Sequence, residues 1–137
     1  MIQLNGLTKR HGDVLAVDDL TFTVRPGLVT GFLGPNGAGK TTTMRMILGL
    51  DLPTSGTATI NGRPHHTLRH PLRAVGSMLE AQAVHPGRSA YKHLLYLAQT
   101  NAIPDTRVAD VLDLVGLTAA AGRKAGGFSL GMSQRLG

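Results

Sequence analysis

Apolar and polar positions along this chain change rhythm several times, and each rhythm predicts an element. Leu20, Phe22 and Val24 alternate with Thr21 and Thr23, the period of two expected of a strand with one buried face. Residues 2–7 read as a second strand, so residues 1–26 form an antiparallel β piece that closes on the turn Arg25-Pro26-Gly27. Leu28, Val29, Phe32 and Leu33 predict a short buried strand, followed beyond residue 40 by a helix with Met44, Ile47 and Leu48 on one face. Residues 57–60 and the pair Asn61-Gly62 predict a further strand and a tight turn. Residues 75–79 predict one more buried strand.

Beyond Pro86-Gly87 the period lengthens. Ser89 is placed to cap a helix running to about Gln99, with Leu94, Leu95 and Leu97 apolar. Ile103-Pro104-Asp105 opens another, with Val108, Val111, Leu112 and Val115 at helical spacing and Gly116 as its stop. Residues 119–127, rich in Ala and Gly, predict a linker.

Composition narrows the class. A chain of 137 residues, 42% hydrophobic and 16% charged, is globular rather than disordered and long enough for a real core. The absence of cysteine excludes a disulfide framework and thiolate metal sites. No apolar run approaches the ~18–20 residues that cross a bilayer, and no signal pattern opens the chain, so the expected location is the cytoplasm. The net charge of +6 is densest where Arg63, Arg69 and Arg73 mix with His65, His66 and His70. Aromatic content is only 4%, which leaves almost no stacking platform for bases, so nucleic acid is not an expected partner. The stretch reads as a solvated basic loop, or a surface facing acidic head groups or an acidic partner.

The candidate chemistry lies between the predicted strand at 28–33 and the helix after it. Gly34, Gly39, Lys40 and Thr41 fit the spacing G-x-x-x-x-G-K-[ST]. Gly34, Gly37 and Gly39 let the backbone turn with no Cβ in the way, so that successive amides, from Asn36 through Ala38 to Thr42, point at phosphate oxygens beside Pro35. A helix starting there adds the positive end of its dipole. Lys40 brings a point charge for the outer phosphates, and the Thr41 hydroxyl is suited to Mg²⁺. The reading is a nucleoside-triphosphate site. A GTP-dependent switch would need an Asn-Lys-x-Asp base reader, and no Asn-Lys pair occurs. A small-molecule kinase would need an arginine-bearing lid, which would leave the end of the chain unexplained.

That end is Phe128-Ser129-Leu130-Gly131-Met132, followed by Ser133-Gln134-Arg135. With the phosphate loop upstream, the chain resembles the ATP-binding subunit of an ABC transporter, whose signature segment is of the L-S-G-G-Q type. Ser129 and Gly131 are kept, while Phe128, Leu130 and Met132 depart from the pattern. Residues 79–88 make it most similar to the branch serving antibiotic and multidrug exporters. The resemblance implies an α/β fold: a P-loop NTPase core with a partial parallel sheet and an N-terminal antiparallel β piece, over residues 1–80. A helical subdomain over residues 81–137 ends in the signature segment. It also implies ATP and Mg²⁺ as ligands and a homo- or heterodimer in which Ser129 and Gly131 cover ATP held by the other copy. Membrane permease subunits would be touched by the helical part, from a position on the inner face of the membrane. His11 stands where an aromatic residue stacks on adenine, and Glu80 where a glutamine links Mg²⁺ and the attacking water to the transporter. Lys40 and Glu80 are thus the implied catalytic residues, and Thr41 and Glu80 the implied metal ligands. The family's Asp-Glu strand and switch histidine follow the signature helix, and residues 1–137 do not include them. The expectation is therefore a C-terminally truncated, inactive ATPase, or a non-hydrolysing ATP-binding module, with an exposed apolar edge.

Overall fold

The threonine-spaced alternation at 20–24 lies in a long hairpin. In the computed structural model, which describes residues 1–79 and 84–137, β1 (Ile2–His11) pairs antiparallel with β2 (Val14–Val24). Leu4 stands opposite Phe22, and Leu7 opposite Leu20. On its other edge β1 pairs with β3 (Ser55–Ile60), giving the order β2-β1-β3. β3 closes on Asn61 and Gly62, both at positive φ, as a two-residue turn between twisted strands requires. The sheet is antiparallel throughout among the described residues.

One face of the sheet carries α1 (Lys40–Ile47). Leu4, Leu7, Val17 and Met46 form the buried centre, with Ile2, Leu20, Phe22, Ile47 and Ala58 around it. The helix buries Thr43 and Met46, with Leu48 at its cap, while Met44 is exposed, so the apolar face differs from the expected one. Thr43 is accepted inside because its hydroxyl donates to the Gly39 carbonyl at 2.9 Å and leaves no unsatisfied polar atom. Once Thr43 faces inward, Met46 and Ile47 follow at i+3 and i+4, and Met44 turns outward.

Two expected strands do not form. Residues 28–33 are irregular, with Leu28 65%, Val29 104% and Leu33 91% exposed. Apolar content says which side chains seek burial, but a strand also needs a ladder partner for its amides. None of the described strands pairs with this segment. Residues 75–79 likewise form no strand, and Met78 is exposed. The antiparallel sheet with its helices otherwise has the expected α/β character. The basic stretch forms a 3₁₀ turn at His65–Thr67 and the short helix α2 (Pro71–Ala74).

The chain divides into two units, Met1–Gly76 and Ser77–Gly137. The second is helical. α3 (Ala90–Thr100) begins at Ser89, whose hydroxyl accepts from the Lys92 amide, and α4 (Thr106–Leu114) is followed by Gly116 at φ 65°. Ala90, Ala98, Val108, Leu112, Leu117, Ala125 and Leu136 make its core, the last from α5 (Leu130–Leu136). Residues 119–127 are not a linker. Ala120 and Ala125 are buried, and the Arg123 and Ala121 carbonyls accept from the first amides of α3, at Ala90 and Tyr91. These residues are small because backbone packs on backbone: a Cβ on Gly126 would lie 3.0 Å from that of Pro86. Among the described residues no helix is long and apolar enough to cross a membrane.

Candidate functional site

The phosphate-loop residues come together at the N-terminus of α1. Gly37 and Gly39 have φ of 83° and 77°, a region that costs any residue with a Cβ, and Ala38 closes a turn by donating to the Pro35 carbonyl at 3.2 Å. Gly39 has a second constraint. A Cβ there would collide with the Ala16 carbonyl oxygen and lie 2.9 Å from Val17 Cγ2, so the loop is seated directly on β2.

Lys40 folds back over the loop. Its Nζ donates to the carbonyls of Gly34 and Pro35, 2.6 Å each, which closes the chain into a ring with the ammonium at its mouth. The first intrahelical bond of α1 is Thr43 N–H to the Gly39 carbonyl at 2.8 Å, so the amides of Lys40, Thr41 and Thr42 precede it and lie at the positive end of the helix. The three threonines divide their work. Thr43 spends its hydroxyl on the helix, whereas Thr41 is exposed and its hydroxyl makes no hydrogen bond among the described residues. The Thr41 hydroxyl therefore fits a Mg²⁺ whose other ligands are phosphate oxygens and water. No cluster of three or more His, Asp or Glu side chains suited to a metal occurs among the described residues.

Beside the loop lies a hollow of about 450 Å³, bounded by Leu15, Val17 and Asp18 of β2 on one side and Gly37, Ala38 and Lys40 on the other. The β2 wall went unnoticed in the sequence, where Leu15 and Val17 belong to no motif. His11 does not line this hollow; it is exposed at the end of β1, opposite Val14. Its charge bears instead on Asp51. That carboxyl is held below its usual range first by its hydrogen bonds from Arg45, at 2.7 and 3.2 Å, with the charges of Lys9 and His11 adding to the effect.

In the second unit Ser129 caps α5, its hydroxyl accepting from the Met132 amide at 3.3 Å. Gly131 sits in the first turn with open space where a Cβ would be. Arg135, which sequence reasoning passed over, reaches back from α5 to the end of α4. Glu80 lies outside the described residues.

Comparison with known proteins places the chain in a family. Over its full length the chain is 42% identical to the bacitracin transport ATP-binding protein BcrA of Bacillus licheniformis. Over 98% of its length it is 37% identical to a Nod factor export ATP-binding protein I of Burkholderia orbicola. It spans 45% and 46% of those two proteins, less than half of each. A solved ATP-binding subunit of an ABC transporter superposes on 98% of the chain with a TM-score of 0.79 at 24% identity. The cbiO1 protein of Clostridium perfringens does so with a TM-score of 0.73 at 19% identity, and the chain covers 58% of each structure. These two likenesses establish the fold. The sequence model of the ABC transporter family matches residues 17–137, from the wall of the hollow through the phosphate loop to the signature helix, and the chain belongs to that family as an ATP-binding domain.

Proposed function

We propose that residues 34–42 bind the triphosphate of ATP, and that the chain acts within an ABC ATPase powering export of a drug or antibiotic. The observation that carries this is Lys40, whose ammonium closes the ring of loop carbonyls at the start of α1. Lys40 exchanges those carbonyls for β- and γ-phosphate oxygens, an exchange that replaces partial charges with full ones and so favours the bound anion. The amides of Asn36 to Thr42 then cradle the phosphates, and Thr41 holds Mg²⁺, which when bound neutralises charge on the transferring phosphoryl group. His11 is assigned to the adenine and Glu80 to Mg²⁺ and the attacking water. Residues 1–80 serve as the nucleotide-binding core and residues 81–137 as the helical subdomain that contacts the permease at the inner membrane face. Ser129 and Gly131 cover a nucleotide bound to a second copy, so ATP acts as the adhesive between two subunits and its loss reopens them. Hydrolysis belongs to the assembled domain in which an Asp-Glu strand and a switch histidine join these residues.

The export assignment draws on the relatives named for bacitracin transport and for Nod factor export. A fluorescent ATP analogue with Mg²⁺ tests the site itself. The wild-type chain should bind it, and Lys40→Ala should weaken binding by at least ~10–100-fold, the loss of one strong charge-assisted contact. Equal binding by both proteins would show that the loop is not the triphosphate site.

A further inference from the structure

We propose that Arg135 is a positioning residue for the signature segment, fixing the angle at which Ser129 and Gly131 face a nucleotide on a second copy of the chain. The inference rests on the function proposed above. Helix α5 spans seven residues, Leu130–Leu136, too few for a helix to hold its shape alone. Side chains on two of its faces tie it down. Leu136 is buried in the helical core and Met132, one turn earlier, packs against it, which holds one line of the helix but leaves it free to roll about that line. Arg135 removes that freedom.

Its guanidinium bonds two elements from two edges. Nε donates to the Gly131 carbonyl, one turn back on α5, at 3.3 Å. Nη1 donates to the Val115 carbonyl at 3.1 Å and lies 3.5 Å from that of Gly116. Those carbonyls stand past the last turn of α4, where the helix's own amides no longer reach them, so they are open acceptors at the negative end of its dipole. Gly116 permits the approach: its φ is 65°, and a Cβ there would lie 3.3 Å from the same Nη1. The residue that carries the nucleotide-facing Gly131 is thereby linked through one rigid plane to the end of α4. Arg135 is exposed, so these bonds add little to stability; what they settle is direction. A lysine would keep the charge near the helix end but has no planar fork with which to serve both carbonyls.

That difference supplies the test. The wild-type chain, Arg135→Lys and Arg135→Ala are compared in three measurements: fluorescent-ATP affinity, ATP-dependent self-association by sedimentation, and amide hydrogen exchange over residues 130–136. Both variants should bind ATP within about twofold of wild type, because the phosphate loop is untouched. Both should exchange faster in α5 and self-associate about tenfold more weakly with ATP, the loss of one charge-assisted link. Arg107→Lys, at an exposed arginine paired with Asp110 on α4, should change none of these. If Arg135→Lys matches wild type in exchange and association, a generic charge suffices and the proposal is overturned. It is overturned equally if the wild type binds ATP without any ATP-driven association. Failure of the wild type to bind ATP would instead defeat the phosphate-loop reading, and the exchange data would still decide the contact between α5 and α4.

Discussion

Gly37 and Gly39 show how two glycines of one loop do different things. Both sit near φ 80°, but a Cβ on Gly37 would meet nothing within 4 Å, whereas one on Gly39 would run into the Ala16 carbonyl. Gly37→Ala should therefore cost only the left-handed penalty, ~1–2 kcal/mol, while Gly39→Ala adds a backbone collision and should cost at least about twice as much. Urea unfolding of the two variants checks the order; equal losses would mean that the loop does not rest on β2. The sequence announced that glycines were needed here but not why each was, because Ala16 is remote along the chain. His93 is a second residue whose role is set by its surroundings. Its Nδ1 is buried without a hydrogen-bond partner among the described residues, and burial first, then the charge of Arg88, lowers its pKa from the ordinary 6.5. The folded state thus prefers the neutral ring, while the unfolded chain takes up a proton more readily. The stability this gives is complete above pH 6.5 and drains away as the pH falls below that value toward the lowered folded pKa. Melting His93→Leu and wild type at neutral and mildly acidic pH should show a smaller acid-induced drop in Tm for the variant.

At the scale of elements, what could be read was what is local. The capping serine at 89, the Asn61-Gly62 turn and the Gly116 stop all act within four residues of themselves, so Ser89 and the ends of β3 and α4 fall where the pattern placed them. The strand expected at 28–33 depends on a partner elsewhere, and no local signal supplies one. The alanine-rich stretch at 119–127 misled for the same reason: small side chains look like slack until the Arg123 and Ala121 carbonyls are seen accepting from the first amides of α3. Those tertiary bonds also set the size of one effect. With Ala90 and Tyr91 already satisfied, Ser89→Ala loses only the Lys92 bond, so the cost should be about 1 kcal/mol and not the upper end of N-cap losses. Chemical denaturation followed by helical circular dichroism measures it; a loss near 2 kcal/mol would mean that the carbonyls at 121 and 123 do not support the helix.

Over the whole chain, apolar burial is shared between two separate clusters. The core of the first unit gathers Leu4, Leu7, Val17 and Met46 from the sheet and α1, and that unit leaves Leu28, Val29 and Leu33 in solvent. Among the described residues, the core of the second runs from Val84 at one margin to Leu136 at the other. A unit with a hydrophobic core of its own can fold alone, although a domain so small is marginal. Residues 77–137 expressed alone should therefore be helical and melt cooperatively. Because little stability is in reserve, Leu112→Ala, which empties a site only 2% exposed and should cost ~2–5 kcal/mol, should abolish the transition rather than shift it. A conservative Val108→Ala, smaller by two methyl groups at a neighbouring buried position, should lower Tm without erasing it. Calorimetry on the three fragments distinguishes the outcomes. A wild-type fragment with no cooperative melt would mean that the helical unit owes its order to contacts beyond its own core.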